Sequence, residues 1–261
     1  MGLDVRRRAG LVRVVCEWDL AGIEAWKERA DVFVIVDVLS FSTSVSVALD
    51  RGATVIPFPY GDAAAAERAA ARLGAVAASK DRTLTPSLSP SSLRNLPANT
   101  RLLLPSPNGS RLSLATGSTP TFCASLRNAQ ATAAAARRTA GAEGMIAVIP
   151  AGERWGDGSL RPALEDWLGA GAVVAALGGI PNAEADLAAS AFARALKRLG
   201  DMIRTSRSGL ELSERGFAAD LDIALEIDSS RTAPRLVDGQ YSNDARPSDL
   251  AVKPHLTQGQ V

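Results

Sequence analysis

Asp37 stands at the end of the apolar run Val32-Phe33-Val34-Ile35-Val36 and is followed at once by hydroxyls, Ser42, Thr43 and Ser44. A carboxylate at that point suits a hard cation, while hydroxyls and the unpaired amides of a helix start suit a phosphate. Three further polar clusters follow apolar runs in the same way: Asn108-Gly109-Ser110-Arg111, then Ser125-Leu126-Arg127-Asn128, then Pro150-Ala151-Gly152-Glu153. Each alone reads as an ordinary turn, since Asn, Gly and Ser are what turns need. Together, with three arginines among or beside them, they favour a single anion site. A second acidic group is Glu165-Asp166. Neighbours on a helix diverge by about 100°, so one of the pair can face a metal while the other caps or orients; a solvated acidic helix start is the plainer alternative.

Several chemistries are excluded by residue inventory. Cys123 has Ala129, not Arg, six positions on, which rules out a cysteine phosphatase. The single histidine, His255, lies in a polar tail, so neither a histidine phosphatase nor a Ser-His-Asp hydrolase fits. Leu39 occupies the place where an aspartyl phosphatase carries its acid, and no P-loop or Gly-x-Gly-x-x-Gly turn follows a strand. Oxygen-only chemistry remains, and carboxylates without His or Cys select Mg²⁺.

The elements that must position these groups alternate. Strand-like runs at 12–16, 32–38, 54–58, 75–78, 101–104, 121–124 and 145–149 are separated by helix-like stretches at 21–29, 43–51, 63–73, 110–115 and 129–139. This predicts an α/β fold: three layers, a mostly parallel sheet with helices on both faces, and a helix-rich C-terminal half from 161 onward. In such a sheet ligands bind outside the carboxyl ends of the strands, so the four clusters are expected to converge. The long Pro-containing connection 79–100 reads equally as a lid or a surface loop. Residues 1–240 are expected to form one domain and 241–261 a polar C-terminal tail with little core of its own.

Composition sets the outer bounds. Of 261 residues, 46% are hydrophobic, enough for a large core, and the net charge of +1 leaves no broad footprint for nucleic acid or an anionic membrane. Cys16 and Cys123 have no metal-like spacing and suit a reducing compartment. Without a signal-like or membrane-spanning run, a cytoplasmic protein is expected. The basic triplet Arg6-Arg7-Arg8 does not alter this, because the stretch after it is short and broken by charges.

In their order, the clusters resemble the 2-phosphosulfolactate phosphatase family of coenzyme M biosynthesis. Val36-Asp37-Val38-Leu39 with Ser42-Thr43, Pro107-Asn108-Gly109-Ser110-Arg111, Ser125-Leu126-Arg127-Asn128-Ala129, Pro150-Ala151-Gly152-Glu153 with Leu164-Glu165-Asp166, and Gly216-Phe217-Ala218-Ala219-Asp220-Leu221 with Asp228 carry the likeness. Ser40-Phe41 departs from the family's Arg-Ala, and Pro150 from its Cys. The Gly-Asn-Ser-Pro element survives only as Ser87-Leu88-Ser89-Pro90. The resemblance implies a Mg²⁺-dependent phosphatase acting on a small phosphorylated acid, with Asp37, Glu165 and Asp166 as catalytic and metal residues. Ser42, Thr43, Asn108, Gly109, Ser110, Arg111, Arg127, Asn128 and Glu153 would bind substrate. Asp37 can serve as ligand, base or nucleophile, and the ligand role is preferred. Arg127, Arg154 and Arg161 are candidates for the charge missing at Ser40. A homodimer is left open, and a relative that binds a phosphorylated or anionic molecule without hydrolysing it, or with a shifted substrate, is the alternative.

Overall fold

The computed structural model describes residues 11–247; Arg6-Arg7-Arg8 and His255 fall outside the described residues. The first half alternates as expected: β1 (Arg13–Cys16), α1 (Asp19–Trp26), β2 (Val32–Val36), α2 (Phe41–Asp50), β3 (Thr54–Pro59), α3 (Ala63–Leu73), β4 (Val76–Ala77), β5 (Arg101–Ser106), α4 (Gly109–Ala115), β6 (Thr121–Ala124), α5 (Ala129–Ala140) and β7 (Met145–Pro150). A short hairpin, β8 (Glu153–Arg154) with β9 (Leu160–Arg161), then precedes α6 (Leu164–Leu177), β10 (Ile180–Pro181), α7 (Ala183–Ala195), α8 (Leu199–Arg204), α9 (Arg207–Glu214) and α10 (Ala218–Ala224). The chain closes with β11 (Pro234–Val237) and β12 (Gln240–Asn243).

Every residue of β2 is buried, as expected of a parallel strand covered on both faces. Its side chains alternate between two layers: Val32, Val34 and Val36 join the core beneath α5, α6 and α7. Phe33 and Ile35 pack instead with Ile23 of α1 and Leu112 of α4. The sheet order among the described residues is β10-β1-β7-β2-β6-β11-β12-β3-β5-β4. Strands β10, β1, β7, β2 and β6 are parallel, as are β3, β5 and β4, and the antiparallel hairpin β11–β12 joins the two blocks.

That hairpin corrects the expectation of a polar tail beginning at 241, because β12 lies inside the sheet and Tyr241 is fully buried. Polar neighbours hid the strand, although Asp238-Gly239, both at positive φ, is a strong two-residue hairpin signal. The hairpin also shapes the site. Taken flat, β5 would run opposite to β2. Five pairings separate them, and at about 20–25° of twist each the strands turn by roughly 100–125°. The carboxyl ends of β2, β5 and β7 therefore meet on one side of the molecule.

The connection 79–100 is not a bare loop: Ser79 bridges to Ser87, a 3₁₀ turn forms at Pro90–Leu93, and Leu93 and Leu96 enter the core beside α2. Among the described residues no helix is long and apolar enough to cross a membrane.

Candidate active site

Asp37 follows β2 and is held by the starts of two helices. The Phe41 amide donates to its Oδ1 at 3.2 Å and the Gly109 amide to its Oδ2 at 2.8 Å. The anion on the N-terminus of α2 is thus the chain's own carboxylate. Ser42 and Thr43 brace the same loop: Ser42 Oγ accepts from the Asp37 amide at 2.9 Å, and Thr43 Oγ1 donates to the Val38 carbonyl at 2.7 Å. Ser110 Oγ donates to the Leu104 carbonyl. Close approach of α4 depends on Gly109, since a Cβ there would collide with Phe41.

Asp166, in the first turn of α6, ties two strand ends together. Its Oδ1 accepts from the Val38 amide at 2.7 Å and its Oδ2 from the Gly152 amide at 2.8 Å. Gly152 sits at φ +65 with Leu160 and Arg161 close by, and Gly169 lets α6 lie against Val36 and Val38 of the β2 end. Glu165 is buried on the next position and accepts from Ser206 Oγ at 3.4 Å. Glu153 accepts from Asn108 Nδ2 at 3.0 Å, whereas Asn108 Oδ1 is buried without a partner.

These carboxylates crowd one another. Burial pushes Asp37 up to about 6, outweighing the two amides that favour its charged form. Glu153 rises to about 7, first from burial and then from the charge of Asp37. Asp166 is held well above its ordinary value by burial and by Asp37 and Glu165, and Glu165 is raised chiefly by burial. Burial thus holds all four above their ordinary values, and at Asp37, Glu153 and Asp166 a neighbouring carboxylate adds to it.

A cavity of about 220 Å³ opens over this cluster. Asp37, Asn108 and Glu153 line it, from the ends of β2, β5 and β7. Lys80, Arg82 and Arg215 line it too, with Ser40, Ser208 and Tyr60. Arg82 comes from the 79–100 connection: its Nη2 donates to Ser40 Oγ at 2.8 Å and to Asp220 Oδ2 at 2.9 Å. Asp220 in turn accepts from Ser89 Oγ and the Ser91 amide. The weakened Ser87-Leu88-Ser89-Pro90 element and the Asp220 motif thus meet at one arginine, for which the sequence carries no local signal.

Other expected anion contacts are engaged elsewhere. Arg111 pairs with Asp19 at 2.6 Å, and Arg154 reaches the same carboxylate at 2.5 Å. Arg127 is buried between Asp50 and Glu226, and Arg161 pairs with Glu211. Asn128 closes a capping box with Ser125. Three of the four clusters therefore meet at the cavity through Asp37, Asn108 and Glu153, while the Ser125–Asn128 turn is spent on capping and on a buried ion-pair network. Asp228 likewise lies away from the cavity, accepting from the Gln130 amide at the start of α5.

Among the described residues no three acidic, histidine or cysteine side chains form a ready-made metal cage. Mg²⁺ does not need one, since it binds through one or two carboxylates and keeps its waters and substrate oxygens. Asp37, Glu153 and the unpartnered Asn108 Oδ1 are a hard-oxygen donor set of that kind, and each Asp37 oxygen keeps a lone pair beyond its amide bond. A family model described as 2-phosphosulpholactate phosphatase matches residues 22–239, nearly the whole chain. No curated protein matches it.

Proposed function

This chain belongs to the 2-phosphosulpholactate phosphatase family, a family of phosphoric monoester hydrolases, and we propose that it cleaves the phosphate ester of a small anionic acid such as 2-phosphosulfolactate, with Mg²⁺ at Asp37. Water replaces the ester oxygen on phosphorus, giving sulfolactate and inorganic phosphate. The observation that carries this reading is the meeting of Asp37, Asn108 and Glu153 at one cavity, with Glu165 and Asp166 buried nearby and acting on their charge. Bound there, the cation would supply positive charge to phosphoryl oxygens and acidify water.

The chain's own groups have separable tasks in this proposal. Asp37, fixed by the Phe41 and Gly109 amides, is the principal ligand, and Glu153 with Asn108 Oδ1 completes the donor set. Asp166 acts at one remove by pinning Val38 and Gly152, while Glu165 adds negative charge. The basic residues lining the cavity, Lys80, Arg82 and Arg215, meet the anionic substrate.

Phosphate release from 2-phosphosulfolactate with and without Mg²⁺ tests the reading. Asp37→Asn and Glu153→Gln should each lose Mg²⁺-stimulated turnover. The second is the cleaner variant, because one Glu153 oxygen suffices to accept from Asn108. Turnover indifferent to Mg²⁺, or Mg²⁺ affinity unchanged in both variants by calorimetry, would remove the metal from the proposal.

A further inference from the structure

Arg82 differs from every other cation at the cavity in how it is held. Its side chain is only 9% exposed, and its guanidinium is fixed on three sides by Ser40 Oγ, Asp220 and the face of Phe217, 5.4 Å away. Yet its Nε is buried with no hydrogen-bond partner. A buried guanidinium nitrogen left unmatched costs free energy unless something else fills the place. Lys80 and Arg215 are different in kind: they rest over Tyr60 and Phe217, and among the described residues neither pairs with a carboxylate.

We propose that Arg82 is the guanidinium that receives the phosphoryl group, projecting from the 79–100 connection to the start of α2, where Ser40 stands in place of an arginine. This rests on the phosphatase reading and deepens it. A planar fork can take two oxygens of a tetrahedral oxyanion at once, and its orientation here is set before the ligand arrives. Asp220 is the residue that positions it. Since Asp220 is also satisfied by Ser89 and the Ser91 amide, the arginine need not spend all its donors on that carboxylate. Arg82 lines the same cavity as Asp37, and its charge favours that carboxylate's ionised form.

The test is calorimetric titration of the full chain with inorganic phosphate, with and without Mg²⁺, alongside turnover and thermal melts. Arg82→Lys keeps the charge and loses the fork, so phosphate affinity should fall about ten- to a hundredfold, with a matching rise in KM. Ser40→Ala leaves the Arg82–Asp220 pair intact and frees the guanidinium, so a severalfold loss should appear without a lower melting temperature. If Arg82 merely balances Asp220, both variants will bind phosphate as the parent does, which overturns the inference and leaves the phosphatase reading standing. Phosphate binding that depends on Arg82 in a protein that hydrolyses no ester would uphold the inference and sink that reading. A parent protein that binds no phosphate under either condition overturns both.

Discussion

At Asp37 two opposing effects can be weighed. Two helix-start amides favour the carboxylate, but burial beside Glu153, Glu165 and Asp166 wins, and the group rises from 3.8 to about 6. Glu153 moves from 4.5 to about 7. Raised carboxylates are held protonated in the folded state at a pH where the unfolded chain has already released its protons. Stability contributed by these groups is therefore greatest below about pH 4 and falls as pH rises through the window to about 7. A cation that binds the ionised cluster should cancel this loss. Thermal melts should show a falling transition temperature between pH 5 and pH 8 without Mg²⁺, and a larger Mg²⁺ stabilisation at pH 8 than at pH 5. A larger effect at pH 5 would contradict a carboxylate-bound metal.

Between elements, the decisive contact is the approach of α4 to α2. Gly109 donates to Asp37 and lies against Phe41, and a methyl at 109 has no room there. Tyr241 packs on Phe41 edge to face at 6.2 Å, and its hydroxyl donates to Ser113 Oγ, which donates to the Gly109 carbonyl. Gly109→Ala should cost about 1–3 kcal/mol, the usual range for overpacking. It should also weaken Mg²⁺ binding by moving the amide off Asp37. Urea denaturation reads the first effect and calorimetric titration with Mg²⁺ the second. A neutral Gly109→Ala would mean that α4 can retreat without disturbing Asp37.

For the whole molecule, the last two strands join the halves. Strand β12 connects the β3–β5–β4 block to the rest through β11, and the Tyr241–Val55 pair is the register point on β3. Tyr241→Ala removes a fully buried ring and a hydroxyl bonded to α4, so a loss of about 3–5 kcal/mol is expected, the range for deleting a large aromatic. Activity should fall with it, because Asn108 and Asp37 come from opposite sides of that seam. Denaturation curves of Tyr241→Ala and Tyr241→Phe separate the ring from the hydroxyl, and near-parental stability in the alanine variant would show that the seam is held elsewhere.

Much of this was legible in one dimension. The apolar run Val32–Val36 announced a strand buried on both faces, and strand-helix alternation announced the parallel blocks, because burial pattern and period are local properties. That Asp37, Asn108 and Glu153 would come together at one cavity could be expected because strand ends in such a sheet share one side of the molecule. Which cations would face them could not be named. Arg111 and Arg127 stand beside the right motifs yet are held by Asp19 and by Asp50 with Glu226, partners 92, 77 and 99 positions away along the chain. Arg82 reaches the cavity from a polar loop because Ser40, Ser89, Phe217 and Asp220 assemble around it. An ion pair carries no periodicity and its partners no fixed spacing, so the chain alone determined the fold class and the carboxylates that gather at the strand ends. Only the folded packing, twist and hairpin included, decided which guanidinium lines the same cavity.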